Sequence, residues 1–183
     1  MATRKNQLNY FCIIFTATLF IFTIIFRQLP HSANFAPLGA LAVFSGAFFS
    51  TRFAFFIPLS AAMLSDLLIG MHSVVFYTWT SYIVITFISS YFLRRRNLVN
   101  ILLASFSSSL IFFTVSNFGV WAEGRLYPAT LEGLINCYYN AIPFFRNTFL
   151  SDLVFSSIFI SVYLVLHGKY WRSYAKDKNI SMV

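Results

Sequence analysis

Charge is scarce in this chain. Asp, Glu, Lys and Arg together make up 10% of its 183 residues, and only five are acidic. So few ionised groups cannot clothe a soluble domain of this length, whereas a 58% hydrophobic content with 24 Phe suits lipid. Cysteine is nearly missing as well. Cys12 lies near the start of the first apolar run and Cys137 in a late connection, on opposite membrane faces in the topology below, so a disulfide is not expected. No CxxC or Cys/His spacing occurs, which argues against a bound metal. No glycine-rich phosphate loop is present, so any use of ATP belongs to a partner. A Gly-x-Gly-Asp context, a zinc-protease motif and a phosphatidyl-transferase aspartate cluster are all lacking, and the chain is not expected to be an enzyme.

What remains is apolar and periodic. Six runs emerge, at about 8–26, 36–50, 53–70, 73–93, 98–118 and 147–167. Each approaches the ~20 residues that cross a bilayer, except the second, which as a helix measures only about 22 Å. That run needs a thinned membrane or an extension through Asn34 and Phe35. The expectation is an all-α, polytopic membrane protein of one domain with six transmembrane helices. The first run follows Arg4 and Lys5. It exceeds the ~7–15 residues of a signal-peptide core and no small-x-small cleavage site follows it, so it reads as a retained helix.

The net charge of +8 answers a topology question. The basic residues sit between apolar runs and not on one polar face, which argues against nucleic acid as a partner. With the N-terminus cytoplasmic, the inner segments carry Arg4, Lys5, Arg52, Arg94, Arg95, Arg96, Lys169, Arg172, Lys176 and Lys178. The outer ones carry Arg27, Arg125 and Arg146, the remaining three of the 13 Lys and Arg. The positive-inside rule therefore places both termini in the cytoplasm, with Arg94-Arg95-Arg96 as a headgroup anchor.

The stretch 34–72 organises the rest. It reads as two packed helices joined by the turn Ser50-Thr51-Arg52. Ala42, Gly46 and Ser50 recur at every fourth position, and small residues at that spacing let helices approach closely in lipid. The next run repeats the device with Ala61, Ala62 and Ser65, then places Asp66 in apolar surroundings. A carboxylate there is costly and by default marks a functional site facing the bundle interior. Tyr77, Trp79, Tyr82 and Tyr91 read as aromatic belts in the fourth run, and the hydroxyls of the fifth, Ser105 to Ser116, as packing groups. In the long connection 119–146, Thr130 is placed to cap a short amphipathic helix over about 131–141, a surface helix or lid that Pro143 ends.

Folding this topology up gathers the polar residues. Asn34, Asp66, His72, Asn117, Trp121, Arg146, Asn147 and Asp152 all fall at or under the outer face. Asp66 lies about 10 Å below it and Asp152 about 9 Å. Such a cluster suits a ligand pocket open to the outside, with Arg146 pairing with Asp66 or Asp152. The competing reading is an ion pair that only fixes helix register.

The motifs that carry a resemblance are Asn34-Phe35-x-Pro37-x-x-Ala40-x-x-x-Phe44-x-Gly46-Ala47, then Pro58-x-x-x-Ala62-x-x-x-Asp66-x-x-x-Gly70-x-His72. Asn117-Phe118-Gly119-x-Trp121 and Pro143-Phe144-Phe145-Arg146-Asn147-Thr148-x-x-x-Asp152 complete them. The pattern resembles an uncharacterised bacterial family described as transport proteins. More distantly it is similar to the substrate-binding S components of energy-coupling-factor (ECF) vitamin transporters. That resemblance implies residence in the bacterial cytoplasmic (inner) membrane as a multi-pass protein and capture of a small vitamin-like solute at the outer face. It also implies docking on a transmembrane coupling subunit with ATPases, and no cofactor. The chain departs from the pattern in its first run, where the Ala-x-x-x-Ala docking motif is replaced by Ala17 flanked by Thr16 and Thr18. A non-catalytic scaffold of an envelope complex is the alternative, and it needs no outer pocket.

Overall fold

A computed structural model describes residues 2–49, 53–93 and 97–177, with side chains described between 10 and 168. The expected turn Ser50-Thr51-Arg52 and the anchor Arg94-Arg95-Arg96 lie outside the described residues. The described residues are all-helical and form six helices: α1 Ala2–Gln28, α2 Leu38–Phe48, α3 Phe53–Ile69, α4 Val75–Phe92, α5 Leu98–Ala122 and α6 Leu131–Asp177. Three stretches, Tyr10–Gln28, Leu98–Ala122 and Leu131–Gly168, are long and apolar enough to cross a membrane. These mark the chain as a membrane protein.

The bundle is built around α2. Its residues from Leu38 to Ala47 are all buried, and it touches each of the other five helices. A stripe of small residues predicts one packed face; the structure buries the whole circumference. At 11 residues the helix is only about 16 Å long, roughly half the hydrocarbon thickness. Its small side chains explain how it can be enclosed. A methyl group on Gly46 would run into the Thr86 carbonyl of α4, so the two backbones meet without a side chain between them. Leu41, Val43 and Phe44 fill the remaining volume, and Phe44 packs with Phe15, Phe48 and Tyr163.

The C-terminal part departs from the reading by residue pattern. The expected surface helix 131–141 and the span 147–167 are one continuous helix, α6, with Pro143 inside it. Proline removes the bond to the carbonyl four residues earlier. Here that carbonyl belongs to Tyr139, and Pro143 and Tyr139 are both exposed, so the loss falls away from the packed face. The 47 residues extend for about 70 Å, more than twice the hydrocarbon thickness. The start is as expected: Thr130 Oγ1 accepts from the Gly133 N–H at 3.1 Å.

Candidate functional site

One end of the bundle gathers polar side chains. α1, α3 and α5 end there, α2 and α4 begin there and α6 runs past it, so all six helices contribute. Two chambers open at this end. The smaller, of about 140 Å³, is lined by Arg27, His31, Asn34, Gly39, Thr148 and Asp152, among others. Its neighbour, of about 230 Å³, is lined by Arg27, Asn34, Asp66, His72, Ser116 and Asn117, among others. Arg27, Asn34, Tyr82 and Phe112 belong to both and form the wall between them. A third cavity of about 300 Å³ shares Asn34 and Asn117 and is also lined by Tyr127 and Asn140.

The first charged group comes from α3. Asp66 is buried, and both carboxylate oxygens are taken. Arg27 Nη1 pairs with Oδ1 at 2.8 Å, and Trp79 Nε1 donates to Oδ2 at 2.7 Å. Arg27 Nη1 also donates to the Ser65 hydroxyl, which in turn donates to the carbonyls of Ala61 and Ala62. Asp66 therefore holds Arg27 in place, and Arg27 presents the remainder of its five-donor guanidinium to both chambers. The sequence pattern points to Asp66 but assigns its partner wrongly. Arg146, the expected counter-ion, is exposed and makes no ion pair among the described residues. Arg146 lies on an exposed face of α6, whereas Arg27 at the end of α1 is carried directly against α3.

The second charged group comes from α6. Asp152 is 1% exposed. Ser109 Oγ donates to its Oδ2 at 2.9 Å, and no cation pairs with it among the described residues. Its carboxylate lies against Gly39, in the first turn of α2, where any Cβ would overlap it. A helix N-terminus carries about half a positive charge, so this turn offsets the carboxylate in part. The position also has a structural use. Asn147 Nδ2 donates to the Ala33 carbonyl at 3.0 Å and Ser151 Oγ to the Ala36 carbonyl at 2.8 Å. One face of α6 thus fastens the connection that leads into α2.

Of the eight residues that the sequence places at the site, Asn34, Asp66, His72, Asn117 and Asp152 line the two chambers. Asn34 adopts a left-handed backbone with φ of 61°, at the turn where the chain enters α2. Asn117 Nδ2 donates to the Phe113 carbonyl at 2.7 Å. The other three lie elsewhere. Trp121 Nε1 donates to the carbonyls of Pro128 and Thr130, both at 3.1 Å, and so clamps the α5–α6 connection. Asn147 is the tie to Ala33, and Arg146 is exposed. Sequence reasoning misses Arg27, Gly39, Tyr82 and Phe112. Only Arg27 leaves a signal: it is an arginine closing an apolar run on the side where basic residues are few.

Among the described residues no group of three or more His, Cys, Asp or Glu side chains is placed to hold a metal ion. The arrangement sets a fixed guanidinium, a buried carboxylate, amides and aromatic faces around small concave spaces. The model of a family described as "Family of unknown function (DUF6580)" matches residues 6–176. No curated protein and no solved structure matches the chain.

Proposed function

The chain belongs to this family of unknown function, and from its site we propose that it is a membrane-embedded binding subunit that captures a small solute at the outer face for uptake. The observation that carries the reading is the shared wall of the two chambers. Residues from α1, the α1–α2 connection, α4 and α5 converge on it, with Asp66 on one side and Asp152 on the other. Ionisable residues within apolar helices are costly, and lining a cavity is the usual reason they are kept.

The orientation follows from charge. With six spans and both termini in the cytoplasm, the chambers open at the end that holds Arg27 and Arg146, the side on which the sequence carries few basic residues. This is also the arrangement that a likeness to ECF S components implies, with release inward powered by a coupling subunit and ATPases in the bacterial inner membrane. Lipid would surround α1, whose Ile13, Ile14, Ile21 and Ile25 are exposed.

The test is mass spectrometry of small molecules carried through purification of the full chain in mild detergent. Capture predicts a defined metabolite with the wild-type protein and its loss in Arg27→Gln. A protein that purifies folded and empty, time after time, with unchanged ligand content in Arg27→Gln, favours instead the non-catalytic scaffold.

A further inference from the structure

The capture site has a charge of its own, and on the reading just given we infer that the solute it takes is a small organic monocation, a protonated amine whose nitrogen faces Asp152. Besides His31 and His72, the ionisable Asp, Glu, Lys and Arg residues that line the two chambers are Arg27, Asp66 and Asp152. Arg27 and Asp66 neutralise each other across 2.8 Å. Asp152 is left with a hydroxyl donor from Ser109 and the partial positive charge of the first turn of α2. Those two together amount to less than a full counter-charge, because a helix terminus supplies only about half a unit. A nearly fully buried carboxylate without a cation partner can take an ammonium group as its counter-ion, whereas an anion brought beside it would add a second uncompensated charge.

The aromatic wall agrees with this sign. Tyr82 and Phe112 line both chambers and stack at 5.5 Å between ring centroids. Aromatic faces attract ammonium groups, most strongly where water is excluded. The smaller chamber, at about 140 Å³, is close to the ~150 Å³ that is known to admit benzene, so it accepts one six-membered ring or an alkyl chain of similar bulk. A bare metal cation is a poorer fit, since the site offers no cluster of acidic or histidine ligands among the described residues. The amides of Asn34 and Asn117 and the N–H groups of Arg27 also line the neighbouring chamber, where they suit acceptor groups on the rest of the solute.

The experiment uses the purified full-length protein in mild detergent, with benzylamine, benzyl alcohol and benzoate as probes of matched shape, read by calorimetry and by shift in melting temperature. Benzylamine is protonated at pH 7. It is expected to bind more tightly than the alcohol, with benzoate weakest. Asp152→Asn should weaken benzylamine roughly thirtyfold or more, the loss that follows removal of one partner from a buried charge pair. Phe112→Leu keeps the carboxylate and should weaken the same probe severalfold, which keeps the proposal testable if Asp152→Asn does not fold. Benzoate binding more tightly than benzylamine, or benzylamine binding equally to wild type and Asp152→Asn, overturns the assignment. A co-purified solute that proves anionic or neutral also overturns it and leaves capture standing. No co-purified solute together with no probe binding overturns both.

Discussion

Arg27 Nη1 lies 2.8 Å from Asp66 Oδ1 and joins α1 to α3 at the polar end of the bundle. The pair is buried unequally, with the Asp66 side chain 3% exposed and that of Arg27 17%. Removing one partner of a buried pair leaves the other uncompensated, at a cost of roughly 3–5 kcal/mol. Arg27→Gln strands the more deeply buried charge and is expected to destabilise the protein more than Asp66→Asn. The double variant should recover much of the loss. Thermal melts of the four detergent-purified proteins complete the double-mutant cycle. Additive effects would show that the two side chains are not coupled.

Trp79 supplies the second donor to the same carboxylate. Trp79→Phe keeps the ring bulk and deletes the Nε1–H that reaches Asp66 Oδ2 at 2.7 Å. A hydrogen bond to a charged group contributes about 1.5–3 kcal/mol, so this change should cost less than Arg27→Gln in the same melts. In the sequence Trp79 reads as an aromatic-belt residue, and a belt residue would tolerate phenylalanine. An unchanged melting temperature would return it to that role.

How much was legible in advance differs by physical cause. Apolar runs gave the helices because lipid-facing composition is local information, and α1, α3, α4 and α5 fall close to the expected runs. Asp66 and Asp152 were legible because a carboxylate in an apolar run is conspicuous without any knowledge of its neighbours. Partners were not, since pairing depends on which helix ends meet. Arg146 and Arg27 are equivalent in the sequence pattern, each beside an apolar run on the side where basic residues are few, and only packing decides that α1 reaches α3. Pro143 misled for another reason. Its cost as a helix breaker is a local property, but whether the lost bond falls on an exposed face is set by how α6 lies on α5.

Gly39 carries a separate prediction. A Cβ at this position would meet the Asp152 carboxylate directly. The carboxylate has to shift to make room, and doing so breaks the hydrogen bond it accepts from Ser109. Gly39→Ala should therefore destabilise the protein by about 1–3 kcal/mol, as overpacking of a close contact does, despite the better helix propensity of alanine. Adding Asp152→Ala makes room for the methyl group and should restore part of the stability. Melts of the single and double variants decide it, because a penalty that arose anywhere other than at the carboxylate would persist in the double variant.

Arg146 yields the opposite expectation. Its side chain is exposed and lines neither chamber. Arg146→Ala is expected to change stability by no more than about 0.5 kcal/mol and to leave solute retention as in wild type. Parallel purification with Arg27→Gln makes the comparison direct. Loss of the solute in Arg146→Ala but not in Arg27→Gln would reinstate the pairing suggested by sequence and remove the basis of the site described above.

Asn34 separates what the backbone needs from what a ligand needs. It lines all three cavities, and its φ of 61° is in the left-handed region, which asparagine tolerates and branched side chains do not. Asn34→Gly keeps the turn into α2 without strain and deletes the amide from the chambers. It is expected to melt within a few tenths of a kcal/mol of wild type and to lose most of its bound solute. Asn34→Val forces a branched residue into the same conformation, so it should lose about 1–2 kcal/mol of stability as well as the solute. The glycine variant is the informative one. If it retained the solute at wild-type occupancy, the Asn34 amide would have only a conformational role, and the wall shared by the chambers would not be the surface that contacts ligand.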